Sequence, residues 1–205
     1  MGREIVIATN NQHKMHEIRE ILPGWDCISL RDAGLVSDPD ETGGTFSENA
    51  VIKAMAVHAL TGGAAAADDS GLCIDAFDGG PGVFSSRFLG EDTPYDIKNS
   101  IILDRLRDVP WERRGAQFVC DVCYVDADGE RHVFEGVCPG HIGYEPRGDN
   151  GFGYDPIFVP DCDTSRTTAM MTDDEKNAIS HRGQAFRLLA EYLNDQKPLD
   201  NCVGQ

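Results

Sequence analysis

The chain has 205 residues, 40% of them hydrophobic, enough for a sizeable core in a single domain of two lobes over 1–194, with a polar tail at 195–205. Eighteen Lys and Arg against 35 Asp and Glu give a formal charge of −17, which argues against nucleic acid as a partner but still admits a phosphate-bearing small molecule where a few cations and a metal gather in one cleft. No run of about 18 apolar residues occurs, so no membrane span is predicted; the opening Met1-Gly2-Arg3-Glu4-Ile5-Val6-Ile7 reads as a strand rather than a signal peptide, and the expected location is the cytoplasm.

Residues 5–9 predict a short apolar strand. Asn10 and Asn11 make the turn into a helix with Met15, Ile18, Ile21 and Leu22 on one face, ended by Pro23-Gly24. A second strand is predicted at 26–30 and an acidic loop at 31–44. Thr45-Phe46-Ser47-Glu48 has the form of a capping box and opens a helix to about residue 60, which Gly62-Gly63 ends. The apolar strand 64–67 then leads to Asp68-Asp69, with a turn at Ser70-Gly71. Residues 78–93 read as a loop, and 96–107 as an amphipathic helix with Ile97, Ile101 and Leu106. A hairpin is predicted from 117–125 and 130–136 around Asp126-Ala127-Asp128-Gly129, followed by a separate strand near 138–142. A glycine-rich loop at 148–155, a short capped helix at 172–177 and a last helix at 180–194 complete a mixed α/β sheet protein.

Seven cysteines are scattered through mostly apolar contexts. Cys120 and Cys123 have CxxC spacing, but on a strand residues three apart face opposite ways, so these thiols cannot share a metal and read as reduced core groups.

Asp68-Asp69 is the most informative pair. Adjacent carboxylates raise each other's pKa unless a cation neutralises them, and a hard divalent metal is a common remedy; an acidic strand end is the plainer reading. Strand–Asn-Asn–helix is a potential anion site, with Lys14 set against the local helix dipole, or else an ordinary βα turn. Lys53 falls in the middle of an apolar stripe of Phe46, Ala50, Val57 and Leu60, where it either snorkels outward or is held inward at a cleft. Phe152 between glycines suits a platform for a flat ring, and Arg182 at the start of the last helix is a fixed fork of donors for a purine carbonyl or a phosphate; a structural turn and a polar helix start are the alternatives. No phosphate-binding GxxxxGK[ST] loop, dinucleotide-binding GxGxxG or HExxH zinc motif is present.

Five segments in order resemble a known family: Thr9-Asn10-Asn11-Gln12-His13-Lys14 with Glu17; Glu41-Thr42-Gly43 to Lys53-Ala54; Asp68-Asp69-Ser70-Gly71-Leu72 to Ser86-Arg87; Gly151-Phe152-Gly153-Tyr154-Asp155-Pro156; and Glu175-Lys176 to Gln184-Ala185. Together they are similar to the house-cleaning inosine/xanthosine triphosphate pyrophosphatases. The resemblance implies a homodimeric α/β fold, a mixed elongated sheet in two lobes with flanking helices and a central nucleotide cleft. It implies Mg2+-dependent hydrolysis of ITP, dITP and XTP to the monophosphate and pyrophosphate. By the same resemblance Thr9, Asn10, Asn11, Gln12, His13, Lys14 and Lys53 hold the phosphates, Asp69 is base and metal ligand, and Ser70 contacts the nucleotide. Phe152, Gly153, Tyr154, Asp155, Lys176, His181 and Arg182 hold the base. The family's acidic metal position, usually Glu, falls on Asp40 with Glu41 adjacent, so either of the two is the second metal ligand. A nucleotide sensor without turnover and a pyrophosphatase for pyrimidine or modified nucleotides are the other readings of the same pocket.

Overall fold

The structure is a computed structural model and describes residues 4–196; the greater part of the expected tail, from 197 on, lies outside the described residues. Six strands form one sheet: β1 (Glu4–Ile7), β2 (Asp26–Ser29), β3 (Ala65–Ile74), β4 (Gly115–Val125), β5 (Arg131–Ile142) and β6 (Phe158–Pro160). Their order is β2-β1-β3-β4-β5-β6. The first three pair in parallel and the last four are antiparallel, so β3 joins the two regimes. Five α-helices flank the sheet: α1 (Gln12–Ile21), α2 (Phe46–Thr61), α3 (Tyr95–Arg105), α4 (Asp173–Ile179) and α5 (His181–Asp195). Among the described residues no helix is long and apolar enough to cross a membrane.

Local chemistry fixes the helix starts. Asn11 caps α1 by accepting from the His13 and Lys14 amides, Thr45 and Glu48 close a capping box on α2, Thr172 and Glu175 do the same for α4, and Ser180 caps α5. Gly62 ends α2 in the left-handed region at φ 64°.

The pleat sorts side chains between two layers. Ala66, Cys120 and Val122 pack with Met15 and Ile18 of α1 and Phe186 and Leu189 of α5. Ala67, Cys123 and Val125 pack on the other side with Ala50 and Ala54 of α2. A further core beyond them joins Leu72 and Ile74 to Ile102, Phe118 and Phe158. Cys120 and Cys123 thus face opposite layers, and the described cysteines are all free; Cys202 lies outside the described residues.

Four expectations need correction. β3 does not stop at Asp68-Asp69: both aspartates lie mid-strand, paired with Val122 and Asp121, and Ser70-Gly71 continues the ladder. Gly71 serves close approach instead of a turn, since a Cβ there would overlap the Gly82 carbonyl and lie 2.5 Å from Ser85 Oγ. The predicted strands at 130–136 and 138–142 are one strand through Pro139. Its carbonyl accepts from the Asp161 amide, so its missing N–H faces the side where β6 has already ended, and the β4 ladder loses nothing. Leu60 is exposed, because the inner stripe of α2 runs Phe46, Asn49, Ala50, Ala54, Val57 and ends there. Ile97 of α3 is also exposed. The buried face begins with Lys98 and Asn99, which donate to the carbonyls of Ser86 and Gly153, and turns apolar only at Ile102 and Leu106.

Gly136 on β5 lets the start of α5 settle against the sheet: a Cβ there would overlap the His181 carbonyl and lie 2.7 Å from the Ala185 nitrogen. We therefore expect Gly136→Ala to cost about 1–3 kcal/mol in urea unfolding, the range for overpacking against backbone.

Candidate active site

Successive residues of a strand face opposite ways, so Asp68 points to the α1–α5 layer and Asp69 to the α2 layer. Asp68 Oδ2 accepts from Lys14 Nζ at 2.8 Å, from Arg182 Nη2 at 3.3 Å and from Ser70 Oγ at 3.2 Å. Burial alone would raise its pKa, but Lys14, Arg182 and Lys53 outweigh it and hold the carboxyl far below the ordinary range. Its Oδ1 is buried with no partner. Arg182 also donates to Glu17 at 2.6 Å and to Ser70 at 2.9 Å, and its Nε reaches Asp68 at 3.4 Å. Four of the five N–H donors of this guanidinium are therefore engaged inside the protein. Lys176 Nζ completes the chain, 2.8 Å from Glu17 and 2.6 Å from Asp155.

On the other face Lys53 is held inward. Its Nζ lies 2.7 Å from Asp69 Oδ1 and 3.0 Å from Glu41 Oε1. Burial would depress the ammonium, but Asp69, Asp68 and Glu41 reverse the shift and raise its pKa. Arg87 holds the other Glu41 oxygen at 2.9 Å. Buried Asn49 donates to Asp69 Oδ2 at 3.3 Å and accepts the Gly43 amide at 2.8 Å, tying the acidic loop to the aspartate. Burial of Asp69 outweighs Lys53, so its pKa is raised. Asp121, its cross-strand neighbour, is pushed up to about 6 by burial, with Glu135 and Asp69 adding to the shift.

At the far end the glycine-rich loop presents Phe152, with Lys176 Nζ 4.9 Å and Arg182 Cζ 5.7 Å from its ring centroid. The exposed His13 ring stacks on Phe152 at 5.3 Å and 21°. Asp155 is buried and accepts the Phe152 amide, Asn99 holds the Gly153 carbonyl, and the Tyr154 hydroxyl donates to Ser85 O. His181 is buried against Phe118 with Nδ1 unpartnered. Its burial, then Arg182 and Lys176, drive its pKa well down, so the imidazole is neutral at pH 7.

Most of these groups line one cleft of about 570 Å3, within the range of small-molecule sites, with Glu17, Asn49, Asn99 and Asp121 behind its wall. The cleft collects Thr9, Asn10, Asn11, Lys14, Asp40, Glu41, Lys53, Asp69 and Ser70. Phe152, Gly153, Tyr154, Asp155, Lys176, His181 and Arg182 line it with them. Gln12 and His13 are exposed and do not line it. The His13 and Lys14 amides are already taken by Asn11 Oδ1, and the Asp68 carboxylate is the anion that offsets Lys14. Of the two acidic candidates, Asp40 is exposed and Glu41 turns in beside Asp69. Sequence reasoning had not assigned Glu17, Asn49 or Arg87 to the site. Glu17 could have been found by its spacing, since it lies one turn from Lys14 and beside Ile18 on the buried face of α1.

A model of the Ham1 family matches residues 5–192. The chain is 44% identical over 193 residues to a dITP/XTP pyrophosphatase of Exiguobacterium sibiricum, covering 93% of this chain and 96% of that one. It is 45% identical over 194 residues to a dITP/XTP pyrophosphatase of Mycolicibacterium paratuberculosis, covering 92% and 95%. Among solved structures, the Staphylococcus aureus Ham1 protein superposes with a TM-score of 0.84 at 38% identity over 95% of this chain and all 100% of its own. A HAM1 protein from Coxiella burnetii gives 0.84 at 41% identity, covering 95% and 100%.

Glu17 neutralises two buried cations. Burial would raise its pKa, but Arg182 and Lys176 outweigh it and keep the carboxyl below its ordinary value of 4.5. Its stabilising contribution is thus complete above the unfolded-state pKa and is lost as pH falls through the lowered native one. Glu17→Gln is expected to cost about 3–5 kcal/mol at neutral pH, the range for breaking a buried pair. The gap to wild type in denaturant unfolding should close as the buffer is taken below pH 4.5.

Proposed function

The chain belongs to the Ham1 family, and on that premise we propose that it hydrolyses the non-standard purine nucleoside triphosphates ITP, dITP and XTP to the monophosphate and pyrophosphate, clearing them from the nucleotide pool. One observation carries the reading: a single cleft holds Lys14, Lys53, Asp69 and Glu41 together with the Phe152 platform, the groups that a polyphosphate and a flat base require.

Hydrolysis between the α- and β-phosphates requires neutralised phosphate charge and a water relieved of its proton. Lys14 and Lys53 supply positive charge to the phosphates, and Ser70 contacts the nucleotide beside them. Asp69 takes the proton of the attacking water. Its burial favours this, because a raised pKa makes a carboxylate a better proton acceptor.

Mg2+ is part of the proposal. Glu41 and Asp69 offer carboxylate oxygens, the donors a hard cation takes, and both already converge on one cationic group, the Lys53 ammonium. Glu41 and Asp69 would hold the ion, with exposed Asp40 outside the pair. When bound, Mg2+ supplies further charge neutralisation to the polyphosphate.

For the base, the remaining Arg182 N–H suits the oxygen at C6 of hypoxanthine or xanthine and would face a like donor in the amino group of adenine. Homodimeric assembly, supported by the family resemblance, and a cytoplasmic place of action complete the proposal.

Asp69→Asn is expected to lower kcat by about 100- to 10,000-fold with nucleotide binding retained, the usual weight of a general base. Turnover within about tenfold of wild type would remove Asp69 from that role.

A panel of nucleoside triphosphates with Mg2+, scored for pyrophosphate against orthophosphate, should show pyrophosphate release and preference for ITP and XTP over ATP. Comparable kcat/KM for ATP and ITP would overturn the specificity. In Arg182→Ala, a fall in the ITP-to-ATP ratio supports base reading, whereas an equal loss on every substrate assigns Arg182 to the framework around Asp68.

A further inference from the structure

Outside the cleft, one other group of side chains has the composition of a metal site. His16 and Glu20 lie one turn apart on α1 and so share a face, and Asp173 opens α4 beside them. His16 Nε2 is 3.4 Å from Glu20 Oε1 and 3.3 Å from Asp173 Oδ2, and all three donor atoms lie within 4.8 Å of one another. Donors bound at about 2.0–2.1 Å to a tetrahedral ion stand roughly 3.3–3.4 Å apart, so the two imidazole edges are already near the spacing a bound ion needs.

A second feature is independent of those contacts. Each carboxylate has its other oxygen fixed by an asparagine amide: Asn177 Nδ2 donates to Glu20 Oε2 at 2.7 Å, and Asn150 Nδ2 to Asp173 Oδ1 at 2.9 Å. Asn150 is itself anchored, donating to the Met171 carbonyl at 2.8 Å. One oxygen of each carboxylate is thereby held by an asparagine and the other is left turned to the imidazole. Outer hydrogen bonds of this kind orient the ligands of metal sites.

We propose that His16, Glu20 and Asp173 form a second divalent-cation site, separate from the catalytic cleft and suited to an ion that accepts nitrogen, Zn2+ before Mg2+. One imidazole and two carboxylates fit Zn2+, whereas Mg2+ takes an all-oxygen shell. The exposed position leaves the remaining coordination to water. The site spans the same two helices that Glu17 and Lys176 already join from the inside, so the ion would clasp α1 to α4 from the outside. Those helices carry Lys14 and Lys176, and their relative position would be fixed twice.

The test is calorimetric titration of Zn2+ into the metal-stripped full-length protein in excess Mg2+, which occupies the carboxylates of the cleft, paired with thermal unfolding. Wild type should bind one equivalent and unfold at a higher temperature with Zn2+. His16→Ala should weaken binding by at least about tenfold and abolish the thermal shift. Its ITP hydrolysis without Zn2+ should stay at the wild-type rate, and Asp173→Asn should weaken Zn2+ binding in the same direction. Absence of Zn2+ binding in wild type would overturn the proposal. So would equal binding by His16→Ala, which would place the ion on thiols or other surface groups.

Discussion

The alternation of side chains along a strand governs this site. Two adjacent aspartates in the middle of β3 cannot face the same way, so the sheet itself separates charges that sequence proximity brings together. Asp68 becomes a buried anchor among Lys14, Ser70 and Arg182, and Asp69 stands with Lys53 and Glu41 on the other side. Their opposite pKa shifts follow from that partition: Asp68 has several cations close to it, whereas burial prevails at Asp69. One dipeptide thus supplies an inert counter-charge and a basic carboxylate.

Each face of the sheet has its own ion pairs, with Asp121 left outside them beside Asp69. Asp68, Glu17 and Asp155 meet Lys14, Arg182 and Lys176 on the α1–α5 side, and Asp69 and Glu41 meet Lys53 and Arg87 on the α2 side. Removing such groups from water costs several kcal/mol per ion, which the apolar cores on either side must offset. The network is therefore a positioning device more than a source of stability. It sets α1, α4 and α5 around one cleft, and the Asn49 amide extends the same ordering to the acidic loop.

Much of this was legible in the chain. The Thr45–Glu48 capping box and the capped helix that follows Thr172 stand where short-range chemistry places them, because a cap depends only on residues within one turn. Lys53 in an apolar stripe had two readings open, and the structure holds it inward. What escaped depended on distant partners. Ser70-Gly71 has the chemistry of a turn, and only the approach of the 82–85 segment explains the glycine in a continuing strand. Pro139 looks like a strand break until the end of β6 shows that its missing donor faces no ladder. The inner face of α3 begins with Lys98 and Asn99, whose targets are carbonyls from two loops, so a hydrophobic count places Ile97 wrongly on it. As a fixed fork of donors Arg182 suits a purine carbonyl or a phosphate, but the site engages most of its N–H groups internally, with Glu17, Asp68 and Ser70.

The cysteines buried in the layers have a chemical consequence. Attack by peroxides, disulfides and electrophiles proceeds through the thiolate, and burial suppresses that species here: Cys27 and Cys123 are pushed up to about 11 and Cys138 to about 12, while Cys120 is raised further, with Asp68 adding to its burial. At neutral pH these sulfurs are small apolar spheres without nucleophilic character. The middle of the sheet is accordingly shielded from oxidative chemistry, and among the described residues the thiols that reach solvent are Cys162, exposed beyond β6, and half-buried Cys73 at the end of β3.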